Sequence, residues 1–317
     1  MSAKGRIDAF RIGCRENKEK TYEVLRFLAD NENWHRGIWQ AALIGLEDDK
    51  VWEDIAPLIV KASPELYTEE AWAIASWTKK AVSTIERDSQ YEQYFWSIFD
   101  LLIEHALDDK RPDHDGEVIN YAINHPVGII TEALIDRFGK TELSVAEGIP
   151  EGPLLDSIGL ILDNNSLIAG KIILASRLHY FYAVDPNWTE ENLIPLFRWE
   201  DSEDVAFMWQ GYLWSPRISI DLAVSIKEQM LNAVKNADQL ADTSERLLEL
   251  FTSICLEYPN IYSSEEQRNV LTTRGKEGLE HVAQFLWQSV SGDLESADIY
   301  WQSRIYPYYE TGMAKVY

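Results

Sequence analysis

The chain has 317 residues, 46% of them hydrophobic and 26% charged, which is the composition of a folded protein with a large core and excludes a disordered one. Its 29 Lys+Arg stand against 53 Asp+Glu, a net charge of −24, so most of its surface would repel a phosphate backbone and nucleic acid is excluded as a partner. Two cysteines, Cys14 and Cys255, are too few for a disulfide framework or a cysteine zinc site. The segment MSAKGRIDAF lacks the apolar core of a signal peptide, and no run reaches the roughly 20 apolar residues of a membrane span, so a cytoplasmic protein without a membrane partner is expected.

Taken in chain order, residues 21–29, 34–46, 50–62, 69–85 and 90–107 carry apolar residues at three- and four-residue intervals, predicting five successive helices. Ser89 with Glu92, Asp242 with Glu245 and Ser264 with Gln267 have the spacing of capping boxes. Thr189 and Ser202, each followed by two acidic residues, read as N-caps. Ser215-Pro216 reads as the start of a helix whose stripe is Ile218, Leu222, Ile226 and Met230. Strand signals are scarce.

Three tryptophan pairs share a spacing of five: Trp34 and Trp39, Trp72 and Trp77, Trp209 and Trp214. The first two pairs lie 38 residues apart, near the period of two-helix repeats, which predicts an all-α fold of HEAT- or TPR-like helical hairpins, as one elongated array or as two lobes. Residues five apart on a helix differ by about 140° around its axis, so each pair must touch two neighbours. As core anchors they predict a cost of about 3–5 kcal/mol for Trp72→Ala or Trp209→Ala.

Two polar, turn-rich breaks stand out. Residues 108–116 (DDKRPDHDG) divide an N-terminal helical segment, 1–110, from a C-terminal region, 111–317, and residues 139–153 (GKTELSVAEGIPEGP) are a second hinge within the latter. Asn124-His125-Pro126 reads as a helix-ending turn, since the residue before proline is pushed out of helical geometry, and Gly128 as a point of close packing.

Chemistry-bearing motifs are sparse. Asp113-His114-Asp115 offers imidazole and carboxylate ligands, and a His-Asp pair belongs to one helical metal-phosphohydrolase signature, but here it sits in a turn-rich loop and the other ligands cannot be assigned. There is no GxSxG, P-loop, GxGxxG or HExxH. The acidic runs Glu200-Asp201 and Glu203-Asp204 read as helix N-terminal charges.

Four stretches, NYAINHPVGIITEAL (120–134), GPLLDSIGLIL, AGKIILASRLHYFYAVDPNW and MWQGYLWSPRISIDLAVSIKEQML, resemble the helical C-terminal region of bacterial defence-associated sirtuins over residues 115–290, most clearly at Ala122 to Gly128 and Trp209 to Ser219. In that family a sirtuin-like domain hydrolyses NAD when a phage component is sensed, while the helical part recognises the trigger and restrains the enzyme. No part of this chain matches the catalytic domain, so the resemblance implies a sensor module that is not itself an enzyme and holds no cofactor or metal. It would recognise a phage structural protein and regulate a sirtuin-like NADase domain in the same or a partner chain. A homo-oligomer of the chain is a further expected assembly; the alternatives are a structural scaffold that holds the subunits of an oligomeric effector together and a metal-dependent hydrolase centred on His114-Asp115. Aromatic residues concentrate in interface hot spots, which points to Trp199, Phe207, Trp209, Tyr212 and Trp214 as partner-contact candidates, with burial as the competing explanation for each ring.

Overall fold

The computed structural model describes residues 3–46, 52–85, 89–105, 112, 118–139, 148–199, 204–290 and 294–313. The His114-Asp115 loop, Ser202, Glu200-Asp201, Glu203 and most of the 139–153 hinge lie outside them. Among the described residues every regular element is helical and no strand occurs. The chain divides into two compact units. Unit 1 comprises Met1–Arg111, Ile119–Ser144 and Ile149–Ile173, and unit 2 comprises Pro112–Val118, Val145–Gly148 and Leu174–Tyr317. One break, after Arg111, falls in the polar stretch 108–116, another, after Ser144, in the stretch 139–153, and a third, at 173/174, inside a helix.

Unit 1 contains α1 (Ala3–Glu16), α2 (Lys18–Asp30), α3 (Arg36–Gly45), α4 (Trp52–Ile59), α5 (Pro64–Glu69), α6 (Ala71–Ala81), α7 (Glu92–His105), most of α8 (Val118–Asn124), α9 (Pro126–Gly139), α10 (Pro153–Asp163) and the first part of α11 (Ile168–Ser176). All five predicted helices are present; α1 and α5 are additions. In unit 1, α3 packs on α1 and α6, and α6 packs on α9. Trp39, Ile55, Tyr67, Ile74, Phe95, Phe99 and Ile130 are fully buried there. Three aromatic polar tips in this core are satisfied: the Trp39 indole donates to the Asn33 carbonyl at 3.1 Å, that of Trp52 to Tyr91 at 3.1 Å, and the Tyr67 phenol to Ile59 at 3.0 Å. Trp52 also stacks on Trp77, centroids 5.1 Å apart. As the proline rule predicts, α8 ends at Asn124 and α9 starts at Pro126.

Unit 2 continues with α12 (Leu178–Val184), α13 (Pro186–Asn192), α14 (Val205–Leu213), α15 (Ile220–Ser225), α16 (Lys227–Lys235), α17 (Ser244–Glu257), α18 (Ser264–Ser289), α19 (Leu294–Tyr300) and α20 (Tyr306–Thr311). Short 3-10 turns at Ile194–Phe197 and Ala237–Thr243 and a π turn at Trp301–Ile305 link several of them. Helix α18 breaks at Gly275, whose φ of 62° is open to glycine and strained for other residues. Its capping box is real but sits one residue earlier than predicted: the Ser263 hydroxyl accepts from the Glu266 N–H at 3.2 Å and the Glu266 carboxylate accepts from the Ser263 N–H at 2.7 Å. The other two boxes do not form. Glu92 is engaged by Arg137 while the Ser89 hydroxyl has no partner, and α17 starts at Ser244 without a side-chain cap. Thr189 lies inside α13, which Asp185 caps, and α15 starts at Ile220 under a Ser219 cap rather than at Ser215. The stripe Ile218–Met230 is divided between α15 and α16 by a non-helical Ile226.

The tryptophan pairs are not equivalent sites. Trp39 and Trp77 are buried, whereas their partners Trp34 and Trp72 are half-buried and 44% exposed. In the third pair the order reverses, with Trp209 inside and Trp214 outside. For the pairs on one helix the 140° separation has this consequence: when one ring faces the core, its partner is turned away from it. Trp72 is therefore a surface residue rather than the packing anchor expected of it.

Candidate functional site

The five aromatic candidates lie between the 3-10 turn that ends at Phe197 and the start of α15, all in unit 2. Pro186 opens α13 with its φ already helical, and the Asp185 carboxylate caps it by accepting from the Trp188 N–H at 3.0 Å. The chain then turns through Ile194–Phe197 and enters α14, whose nine residues are all buried. A helix that is buried all round and carries only one polar side chain, Gln210, belongs in a core.

That core is aromatic. The Phe197 ring meets Trp209 and Tyr212 edge-on, with centroids 5.1 and 5.9 Å away and planes at 81° in both cases, and Trp209 and Tyr212 are themselves 6.2 Å apart. Such edge-to-face arrangements suit the ring quadrupole. The indole of Trp209 donates to the Phe197 carbonyl at 3.4 Å and the phenol of Tyr212 to the Arg217 carbonyl at 2.8 Å, so both polar tips are satisfied without water. Burial pushes the Tyr212 phenol far up from its ordinary range, keeping it neutral. Phe207, Trp209 and Tyr212 are thus buried in the core of the unit rather than presented on its surface. Trp199 is half-buried.

Trp214 differs. It caps the C-terminal end of α14 and is 50% exposed. The guanidinium of Arg246 lies 5.3 Å over its ring and donates to its carbonyl at 3.1 Å, which fixes the indole's orientation. Following it, Ile220 and Val224 are exposed on one face of α15 while Leu222 and Ala223 are buried. The single stripe expected of this region leaves out Ile220 and Val224, although apolar residues in surplus of that stripe are a visible signal in the sequence.

Nearby, Glu190 Oε1 lies 3.1 Å from the Tyr182 hydroxyl and accepts from the Ser225 hydroxyl, and the two hydroxyls are 2.8 Å apart. Burial, with the adjacent Glu190 carboxylate, raises the Tyr182 phenol. The cluster ties α12, α13 and α15 together. His179 is held below its ordinary range by burial and by the like charges of Arg217 and Arg177, so it is neutral at pH 7. Burial raises both thiols, Cys14 and Cys255, which removes their thiolate character. Among the described residues no group of three or more His, Cys, Asp or Glu side chains is placed to hold a metal ion, and no single helix is long and apolar enough to cross a membrane.

Comparison with known proteins adds no family: no family model, curated protein or solved structure matches the chain.

Proposed function

We propose that this chain is a non-catalytic recognition module of stacked helical hairpins that binds a phage structural protein and controls a linked NAD-hydrolysing, sirtuin-like effector. The observation that supports it best is the fixed outward presentation of Trp214, anchored by a fully buried helix and oriented by Arg246, in the stretch where the family resemblance is clearest. Large aromatic rings held in one orientation lose little entropy on binding and recur as interface hot spots. With a net charge of −24 the favoured partner is a basic or neutral protein surface, and the attraction acts chiefly on the association rate.

Binding of the full chain to purified phage capsid and tail proteins tests the reading. Trp214→Ala should weaken the complex at least about tenfold, or about 1.4 kcal/mol, without moving the melting temperature. A chain that binds no phage protein but assembles effector subunits is an oligomerisation scaffold instead. Turnover of NAD by the purified chain above a boiled control sinks the non-catalytic reading altogether.

A further inference from the structure

The run from Trp301 to Glu310 in unit 2 is fastened by few side chains. Ile305 and Tyr308, one turn apart, are buried, while Trp301, Tyr306 and Tyr309 are exposed. The run begins with a π turn, whose wide backbone ring is a rare and weakly favoured geometry, and continues into a helix of only six residues.

Its seat on α17 and α18 is polar for a buried site. The Tyr308 phenol lies beside Thr252 and within electrostatic reach of the Cys255 thiol, all three buried, and the Thr252 hydroxyl lacks a hydrogen-bond partner. Gly312 then brings the chain against α18, where a Cβ would stand 3.5 Å from Gln267 Oε1 and 3.7 Å from Leu271 Cδ1. Around this seat the Tyr262 hydroxyl and Gln267 Oε1 are buried and lack a hydrogen-bond partner. Opening would let water reach such groups and return their hydration, which offsets part of the cost of exposing Ile305 and the Tyr308 ring. A segment with few buried side chains and a seat that gains from water belongs at the low-stability end of a fold.

We propose that residues 301–310 form a releasable latch, which leaves its seat on α17 and α18 while the rest of unit 2 stays folded and so uncovers Cys255 and the buried polar groups beside it. Cys255 is the natural reporter, and Cys14, in unit 1, is the only other thiol.

The experiment is maleimide labelling of the full chain at urea concentrations below the unfolding transition, read separately at Cys255 and Cys14 by peptide mass spectrometry. Cys255 should react at least tenfold faster than global unfolding, followed by tryptophan fluorescence, allows, and its rate should depend only weakly on urea. Tyr308→Ala should raise that rate at least a further tenfold and leave Cys14 unchanged. Labelling of Cys255 in the wild type that follows global unfolding with its full urea slope overturns the latch, and this outcome needs no variant to fold.

Discussion

Gly128 and Ala122 meet backbone to backbone: a Cβ on Gly128 would stand 1.8 Å from the Ala122 carbonyl oxygen. The approach is made at the His125-Pro126 turn between α8 and α9, where the His125 imidazole Nδ1 accepts from the Val127 N–H at 3.2 Å. A carbonyl that belongs to a helix cannot swing aside as a side-chain tip can. Gly128→Ala should therefore cost at least about 2 kcal/mol, within the range for overpacking. Gly159 in α10 has nothing within 4 Å of the same position, and Gly159→Ala should stabilise by about 1 kcal/mol through helix propensity. Urea melts of both variants check the contrast, and equal effects would mean the α8–α9 turn is looser than described.

The tryptophan pairs provide a second contrast. Trp77→Ala and Trp209→Ala empty buried sites and should each cost about 3–5 kcal/mol. Trp72→Ala and Trp214→Ala truncate surface rings and should change stability by less than about 1 kcal/mol. Thermal melting of the four variants decides whether burial or sequence spacing governs the outcome.

Arg137 is buried on α9, and its Nε and Nη2 donate to Glu92 Oε1 on α7 at 3.1 and 2.6 Å, while Nη1 donates to the Ile85 carbonyl at 2.5 Å. Arg137→Met strands a largely buried carboxylate and a carbonyl, and should cost about 3 kcal/mol, the lower end for breaking such a pair. Replacing both partners, as Arg137→Met with Glu92→Leu, should recover at least half of that loss, since no charge then remains to be desolvated. A double variant no more stable than the single one would place the contribution in the Ile85 hydrogen bond instead.

Glu70, between α5 and α6, is buried, and desolvation holds its carboxyl above its ordinary value of 4.5 despite the opposing pull of Arg36, 3.0 Å away, and of Gln40. The folded protein therefore holds this proton more tightly than the unfolded chain. Its contribution to stability is greatest below pH 4.5 and is lost as the pH rises through the raised folded value. Glu70→Gln removes that dependence, so the variant should gain on the wild type between about pH 4 and pH 7. Paired urea midpoints at the two pH values measure the difference; a gap that stays constant, or that moves toward the wild type, contradicts desolvation as the dominant cause.

Composition, periodicity and the proline rule were sufficient for the all-α class, for the five helices read in residues 21–107 and for the turn at Asn124-Pro126, because each depends on residues within a few positions of one another. Capping was less legible. Ser263 and Ser264 both precede an acid or amide at capping distance, and the registry of the whole helix selects Ser263. What only the tertiary structure decided is which apolar residues face inward: α14 is buried on every side, so Phe207, Trp209 and Tyr212 became core, whereas Trp72, Trp214, Ile220 and Val224 were left outside. A helix pattern places side chains around one axis, but burial depends on which other helices approach that axis, and those approaches join residues far apart in the chain. The break at 173/174, inside α11, has the same origin, whereas the breaks after Arg111 and Ser144 fall in the polar stretches visible in the sequence.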